Sequence, residues 1–329
     1  AGLLTGTTDA AALNVSGNAG SAAADTTFTI ATVAAAEGYE ILNINSTGTA
    51  SRLEAITVTS NAADNLNTIN VTGTANLRVD TALAFRATGV DTLNAQNFSG
   101  ALNVGLALGA DNMVVTGGSG ADRLNFAATL LNAGNTTING GLGRDTIAVD
   151  VAASAQGAAA LTKINAAASV EILELTGAAY GATLAANTFT SINSFVLSGA
   201  GANGTITNLE NADDVTATGA TVGANTFSAL APGAAAVLNL AVNSPVGSAL
   251  ASNITAGDFA TVNLTLTSGT GTFSGGNQTL TGAAGGTLNV SGTLLYGATK
   301  VGKDTALARI VEAVRQAQGA KPAIGRLAD

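Results

Sequence analysis

The sequence predicts an all-β chain that folds as an elongated parallel β-solenoid, a β-roll-like repeat array, with a C-terminal α-helix. Apolar and polar residues alternate over short segments, and this period of two is that of a half-buried strand. The segments recur about every 22 residues, a spacing typical of one solenoid coil. With 41 Gly and only 4% aromatic residues, the composition favours a thin core of small aliphatic side chains.

The predicted strands share a phrase in which Leu-Asn or Ile-Asn often precedes Ser or Thr and then Gly. Its copies lie at 13–17, 41–48, 68–73, 92–100, 172–177, 195–199, 215–219, 262–269 and 288–292. Stacking such coils about 4.8 Å apart would bury the apolar face that a single coil leaves exposed. Strand spacing leaves a second all-β architecture open, namely two or three stacked antiparallel sandwiches.

The residue types that are absent and the charge of the chain exclude several kinds of active site and binding partner. The chain has no Cys and no His, which excludes disulfides, thiol nucleophiles, imidazole bases and the usual zinc ligands. A net charge of −9, with no basic stripe, argues against nucleic acid as a partner. No long uninterrupted apolar run occurs, so the sequence predicts no membrane span.

Two segments match the nonapeptide G-G-x-G-x-D-x-U-x of calcium-binding parallel β-rolls at every consensus position: 117–125 (GGSGADRLN) and 140–148 (GGLGRDTIA). In this motif the glycines form the turn and point carbonyl groups inward, and the Asp carboxylate completes an oxygen cage for Ca²⁺. The two copies are separated by close to one repeat, so Asp122 and Asp145 are expected to share a cation between adjacent coils. Asp111 is a candidate further ligand. Each copy is also compatible with a glycine-rich turn that holds no metal.

Residues 1 to about 285 resemble the RTX-type crystalline surface-layer (S-layer) proteins that bacteria export by type I secretion. Three features carry this resemblance: the two nonapeptides, the Cys-free composition, and the phrase Gly-(Val/Tyr)-(Asp/Glu)-x-Leu-Asn at 38–43 and 89–94. The resemblance implies a calcium-dependent lattice former on the outer cell surface. It also implies that Ca²⁺ is held by Asp122 and Asp145 with Gly118, Gly120, Gly141 and Gly143.

The end of the chain differs in charge from the rest, because the part before position 300 carries −12 and the part from Lys300 onward carries +3. We therefore expect a solenoid-like body at 1–286, with the calcium turns at 109–148, and a tail of different origin at 287–329. The tail is expected to form a strand pair and an amphipathic helix, and the helix has an apolar stripe of Leu307, Ile310, Val311 and Val314. Residues 287–329 are similar to a fragment of heavy-metal P-type ATPases.

The sequence predicts a self-assembling structural protein rather than an enzyme. We expect an extracellular, cell-surface location, with copies of the same chain as partners and a cell-surface polysaccharide as a further one. A carbohydrate-active β-helix enzyme is an alternative, although His and Trp are absent and with them the usual base and stacking platform. An adhesive or ice-binding solenoid is another alternative, suggested by the threonines at 57–59 and 265–267.

Overall fold

Parallel strands that stack along the chain make up most of the fold. The structure, a computed structural model, describes residues 8–18, 26–31, 38–59, 66–83, 90–106, 112–126, 131, 135–149, 158–176, 179–198, 203–218, 221–222, 225–244, 249–250, 254–268, 274–275 and 287–291. Every strand pairing within these residues is parallel. The predicted all-β parallel solenoid is therefore confirmed, and the alternative of antiparallel sandwiches is wrong.

Across the described ranges the strands form two long sheets and one small sheet. Sheet A contains β1 (Ala10–Ser16), β3 (Ile41–Thr47), β5 (Thr68–Gly73), β7 (Val90–Asn94), β9 (Asn112–Thr116) and β11 (Thr137–Asn139). Sheet B contains β2 (Thr26–Ala31), β4 (Ser51–Thr59), β6 (Leu77–Leu83), β8 (Leu102–Leu106), β10 (Arg123–Phe126), β12 (Thr146–Val149), β13 (Ile172–Leu175), β14 (Ala179–Ala185), β15 (Ser194–Leu197), β16 (Asn203–Leu209), β17 (Asp214–Thr218), β19 (Asn225–Ser244), β21 (Ile254–Ser268) and β23 (Thr287–Ser291). The small sheet contains β18 (Thr221–Val222), β20 (Ala249–Leu250) and β22 (Ser274–Gly275).

Each strand pairs with the equivalent strand of the next coil, so the register gives the coil length directly. Asn103 pairs with Arg123, which makes a short coil, whereas Ala10 pairs with Ile41, which makes a longer one. The coils therefore vary in length around the predicted spacing, while the strands that they place side by side keep their register.

One strand crosses the corner between two stacks. The first part of β19 pairs with β16, where Thr205 lies opposite Thr226, and its last part pairs with β17, where Val215 lies opposite Leu240. Register shifts fall near Gly233, whose φ of 149° few other residues adopt. The Ala-rich stretch at 231–236 thus belongs to a strand rather than to a loop.

The core is a set of stacked apolar columns. On sheet B one column consists of Val104, Leu124, Ile147, Leu173, Phe195, Val215 and Leu240, all of them buried. Five phenylalanines are also fully buried: Phe98, Phe126, Phe195, Phe227 and Phe259. Each fully buried side chain of this size contributes about 1.5–3 kcal/mol by leaving water. Within the described residues, most phenylalanines thus lie in the interior.

Short helical segments interrupt the strands. Helix α1 (Ala158–Asn165) lies between β12 and β13 and buries Ala160 and Ile164 in the core, and a 3₁₀-helix spans Ala186–Thr188. Neither was predicted from the sequence. No helix within the described ranges is long and apolar enough to cross a membrane.

The predicted tail is described only at its start. β23 pairs in parallel with β21, so residues 287–291 continue sheet B. The expected amphipathic helix lies outside the described residues, and the boundary at 286/287 remains a prediction.

Outward-facing asparagines form hydrogen-bonded ladders along both long sheets. On sheet B, Asn263 Nδ2 donates to Asn239 Oδ1 at 2.9 Å and Asn289 Nδ2 donates to Asn263 Oδ1 at 2.8 Å. On sheet A, Asn70 Nδ2 donates to Asn43 Oδ1 at 2.9 Å. The ladders explain the repeated Leu-Asn phrase, because Leu enters the core while the next residue stacks outside on its own kind.

We expect Asn263→Ala to lower the melting temperature, because the substitution removes both hydrogen bonds of the sheet B ladder. Each such bond contributes about 1 kcal/mol to the free energy of unfolding. The matched control is Asn103→Ala, which truncates an outward asparagine that lies between Arg78 and Arg123 in the register. Equal melting temperatures for the two variants, measured by circular dichroism, would show that the ladder does not stabilise the stack.

Candidate metal centre

The two nonapeptides form turns that lead from sheet A to sheet B in neighbouring coils. Turn 1, residues 117–122, joins β9 to β10, and turn 2, residues 140–145, joins β11 to β12. The Leu142 amide donates to the Gly118 carbonyl at 2.9 Å, and the Thr146 amide donates to the Asp122 carbonyl at 2.8 Å. The turns therefore stack directly on one another, with backbone hydrogen bonds between them.

The glycines of the motif are required by this close stacking. A Cβ atom on Gly118 would lie 2.2 Å from the Phe98 carbonyl oxygen, and one on Gly141 would lie 2.1 Å from the Gly118 carbonyl oxygen. Gly120 and Gly143 meet carbonyl oxygens of the preceding coil in the same way, at 2.4 and 2.3 Å. The Gly118 carbonyl accepts an amide of the next coil, so in this structure it serves the stack rather than an inward oxygen cage.

We expect Gly141→Ala to be strongly destabilising. Gly141 has a φ of 99°, and its added methyl group would also overlap a backbone oxygen, so both strain and overlap oppose the change. We expect the free energy of unfolding to fall by about 2 kcal/mol or more. Gly257→Ala is the control, since its Cβ would lie 3.9 Å from the nearest atom, the Phe227 carbonyl oxygen. A thermal melt in which both variants resemble the unmodified chain would contradict this role of Gly141.

The acids of the two turns belong to a ladder of carboxylates at the entry to sheet B. Asp122 Oδ1 accepts the Leu102 amide at 2.8 Å, Asp145 Oδ1 accepts the Asp122 amide at 2.7 Å, and Glu171 Oε2 accepts the Asp145 amide at 2.9 Å. Each carboxylate thus binds the backbone of the preceding coil. Glu171 is a member of the site that was not predicted from the sequence. Its signal is an acid directly before a strand, one coil after Asp145.

The second carboxylate oxygen differs between the two turns. Asp122 Oδ2 accepts the Gly118 amide at 2.6 Å. The equivalent amide in turn 2, that of Gly141, donates to Asn139 Oδ1 at 3.1 Å instead. Asp145 Oδ2 is consequently buried without a hydrogen-bond partner. An unpaired buried polar atom of this kind is costly, so a ligand that binds Asp145 Oδ2 would be stabilising.

Burial and neighbouring charge oppose the ionisation of these aspartates. Burial raises the pKa of Asp122, although the Gly118 and Leu102 amides lower it. The pKa of Asp145 is raised to about 7, mainly by burial; the Asp122 amide lowers it, and the charges of Asp122 and Glu171 add to the increase. An unfolded Asp titrates near 4. Between about pH 4 and 7, therefore, the folded chain holds a proton that the unfolded chain has released, and the contribution of Asp145 to stability falls as the pH rises.

A proton or a cation could satisfy Asp145 Oδ2. Calcium suits the donor chemistry, because it prefers carboxylate and carbonyl oxygens and accepts irregular geometry. No group of three or more acidic side chains converges on one point within the described residues, so backbone oxygens or water would have to complete the coordination shell. The structure brings together Asp122, Asp145 and the four motif glycines, whereas Asp111 lies outside the described residues.

The same arrangement of acids occurs at the entry to sheet A. Glu40, which precedes β3, is buried and accepts the Asp9 amide of the preceding coil at 2.8 Å through its Oε2. Asp91 stands at the equivalent place in β7 and is also buried. The acid of the repeated Gly-(Val/Tyr)-(Asp/Glu)-x-Leu-Asn phrase is thus a buried residue at a strand entry.

A groove with arginine side chains lies on the outer face of sheet B. It has a volume of about 380 Å³ and is lined by Ala50, Ser51, Arg52, Asn76, Leu77, Arg78, Ala101 and Asn103. Asp80 bridges the two arginines: Arg52 Nε lies 2.7 Å from Asp80 Oδ2, and Arg78 binds the other oxygen. The two guanidinium groups of the groove are thus held in place by one carboxylate that binds both of them.

The threonines that suggested an ice-binding face do not form ranks at 265–267. Thr265 lies beside Ala241 in one neighbouring strand and Ser291 in the other, and Thr267 lies beside Asn243. Asparagine, rather than threonine, forms the repeated outer column in this part of sheet B.

Comparison with known proteins gives similarity for one short segment. The Copper-exporting P-type ATPase of Vibrio cholerae is 59% identical over 46 residues, and that of Staphylococcus saprophyticus is 58% identical over 45 residues. The Probable copper-exporting P-type ATPase V of Mycobacterium tuberculosis is 59% identical over 46 residues. These matches cover 14% of this chain and only 5–6% of each relative, and they agree with the resemblance of the tail. No protein-family model and no solved structure matches the chain.

Proposed function

We propose that this chain is a structural protein of an extracellular bacterial surface layer or matrix, and not an enzyme. In this proposal Ca²⁺ stabilises the acidic turns, and copies of the chain assemble with one another at the cell surface. The observation that carries the calcium assignment is the buried Asp145 Oδ2, which lacks a partner within a column of three carboxylates. A divalent cation would supply that partner and reduce the repulsion along the column.

The ladder makes the benefit of a cation specific to neutral and alkaline pH. When Asp145 is protonated, its charge is absent and the column carries less repulsion. Once it ionises, near pH 7, three buried or half-buried carboxylates lie in successive coils. A solenoid transmits such local strain only between neighbouring coils, so a cation at turn 2 would act on the coils around residues 112–175.

The role in assembly rests on the shape of the repeat. A parallel stack presents long, regular outer faces on which the same side chain recurs, as the asparagine ladders do. Regular faces of this kind suit repeated contacts between identical chains. The resemblance to RTX-type S-layer proteins points to the same role and to the cell surface as its location.

We expect calcium to raise the melting temperature by several degrees at pH 8 and by much less at pH 5, where Asp145 is protonated and metal must compete with a proton. Asp145→Asn should raise the melting temperature in chelator at pH 8, because it removes the unfavourable charge, and should abolish the effect of calcium. The measurement is a thermal melt in excess EDTA or in millimolar Ca²⁺ at both pH values.

Asp213→Asn is the matched control for Asp145. Asp213 is another buried acid with a raised pKa caused mainly by burial, but its Oδ2 accepts the Glu210 amide at 2.8 Å. We expect this variant to keep the response to calcium. Static light scattering and electron microscopy of the same samples would follow assembly. Identical melting and identical particle size with and without Ca²⁺ at pH 8 would count against the calcium-dependent lattice.

The groove at Arg52 and Arg78 is the surface that we assign to the proposed polysaccharide partner. Guanidinium groups bind carboxylates through paired hydrogen bonds, and the amides of Asn76 and Asn103 line the same groove. Arg78 is half exposed, at 52%, and so is accessible to a polymer. These features fit a polysaccharide that carries carboxylate groups.

We expect Arg78→Gln to weaken binding of polygalacturonate about tenfold, the effect of losing one hydrogen bond between charged groups. Arg123→Gln is the control, because Arg123 also binds an acid through its Nε, Glu174 Oε2 at 2.6 Å, but does not line the groove. The measurement is calorimetric titration, with methyl-esterified polymer as the uncharged ligand. Equal affinity for the charged and the esterified polymer would overturn the assignment of the groove.

A further inference from the structure

We propose that turn 2 is the calcium-binding turn, that turn 1 is closed to the ion, and that Asn139 is the residue that makes the difference. This inference rests on the proposed calcium function and refines it. Both nonapeptides match the motif fully, so the motif alone gives no reason to distinguish one turn from the other. The hydrogen bonds of the two turns are not equivalent.

The difference begins with one backbone amide. In each turn the Oδ2 atom of the final aspartate lies close to the first glycine: an added Cβ would be 2.7 Å from it in turn 1 and 2.6 Å from it in turn 2. In turn 1 the amide of the second glycine, Gly118, donates to Asp122 Oδ2 at 2.6 Å. In turn 2 the amide of Gly141 donates to Asn139 Oδ1 at 3.1 Å, and Asp145 Oδ2 has no hydrogen-bond partner.

The acceptor in turn 2 comes from the last residue of the preceding strand. Asn139 ends β11, and the register places Thr116, which ends β9, beside it. An asparagine at this place readily accepts the amide two positions further along the chain, which is the hydrogen bond of an Asx turn. Asn94, beside Thr116 in the neighbouring strand β7, does so as well, accepting the Gln96 amide at 3.1 Å. The side chain of Thr116 is shorter than that of asparagine, and its hydroxyl oxygen is a weaker acceptor than an amide oxygen. In turn 1 the Gly118 amide therefore donates to Asp122.

This exchange determines which carboxylate can take a cation. The amide that donates to Asp122 Oδ2 places the positive end of its dipole where a cation would have to approach, while the other oxygen accepts the Leu102 amide. Asp145 has a single amide on Oδ1, so Oδ2 remains for a ligand. Asp145 is fully buried, at 0% exposure, and therefore cannot satisfy this oxygen from bulk water.

The test exchanges the residues before the two turns. Asn139→Thr gives turn 2 the residue that precedes turn 1. The Gly141 amide should then donate to Asp145 Oδ2, and calcium binding should be lost. The conservative variant Asn139→Asp keeps an acceptor for the Gly141 amide and should keep calcium binding. Thr116→Asn should release the Gly118 amide from Asp122 and open a second site.

Calorimetric titration of the full chain with CaCl₂ at pH 8 should give one ion for the unmodified chain, none for Asn139→Thr, one for Asn139→Asp and two for Thr116→Asn. A second readout needs no metal: in EDTA, Asn139→Thr should melt at a higher temperature than the unmodified chain, because its buried oxygen gains a partner. Calcium binding that survives Asn139→Thr, or two ions on the unmodified chain, would overturn the role of Asn139. Absence of calcium binding by the unmodified chain would instead overturn the calcium function itself.

Discussion

Everything in this fold follows from the short and constant distance between stacked backbones. Because successive coils lie about 4.8 Å apart, each side chain rests on the residue at the same place in the next coil. Columns of like residues result: aliphatic residues inside, asparagines outside, glycines at the turns and acids at the strand entries. The stability of each column depends on the contacts between its members, so the effect of one residue depends on its neighbours in the coils above and below.

Stacking charged side chains in neighbouring coils is unfavourable, because like charges lie close together. Backbone amides of the preceding coil stabilise the acidic column, but the pKa of Asp145 is still raised, mainly by burial and also by the charges of Asp122 and Glu171. On the outer face the solution is different, because Asp80 lies between two arginines. Arg123 reaches across β12 to Glu174, which also accepts the Ser198 hydroxyl. Fixed opposite charges thus balance the outer column, whereas the inner one has only hydrogen bonds.

Features of the fold that a local sequence pattern determines could be predicted from the sequence. Features that depend on the register between coils could not. Alternation and spacing predicted the stacked strands, and the motif glycines lie where turns were expected. Glu171 was missed because its role depends on a coil length that no motif specifies. The corner in β19 was missed because Ala231 to Ala236 carry no strand signal of their own. The difference between the two nonapeptides escaped because it arises outside both, at Thr116 and Asn139.

Helix α1 shows that this architecture tolerates a helix between two stacked strands. The coil that contains it returns to register, with Thr146 opposite Ile172 and Ile147 opposite Leu173. The helix is thus accommodated within one coil while the register of sheet B is kept. Helical chain can therefore stand between strands at this place in a coil, and the spacing of the sheet B strands on either side depends on their own hydrogen bonds.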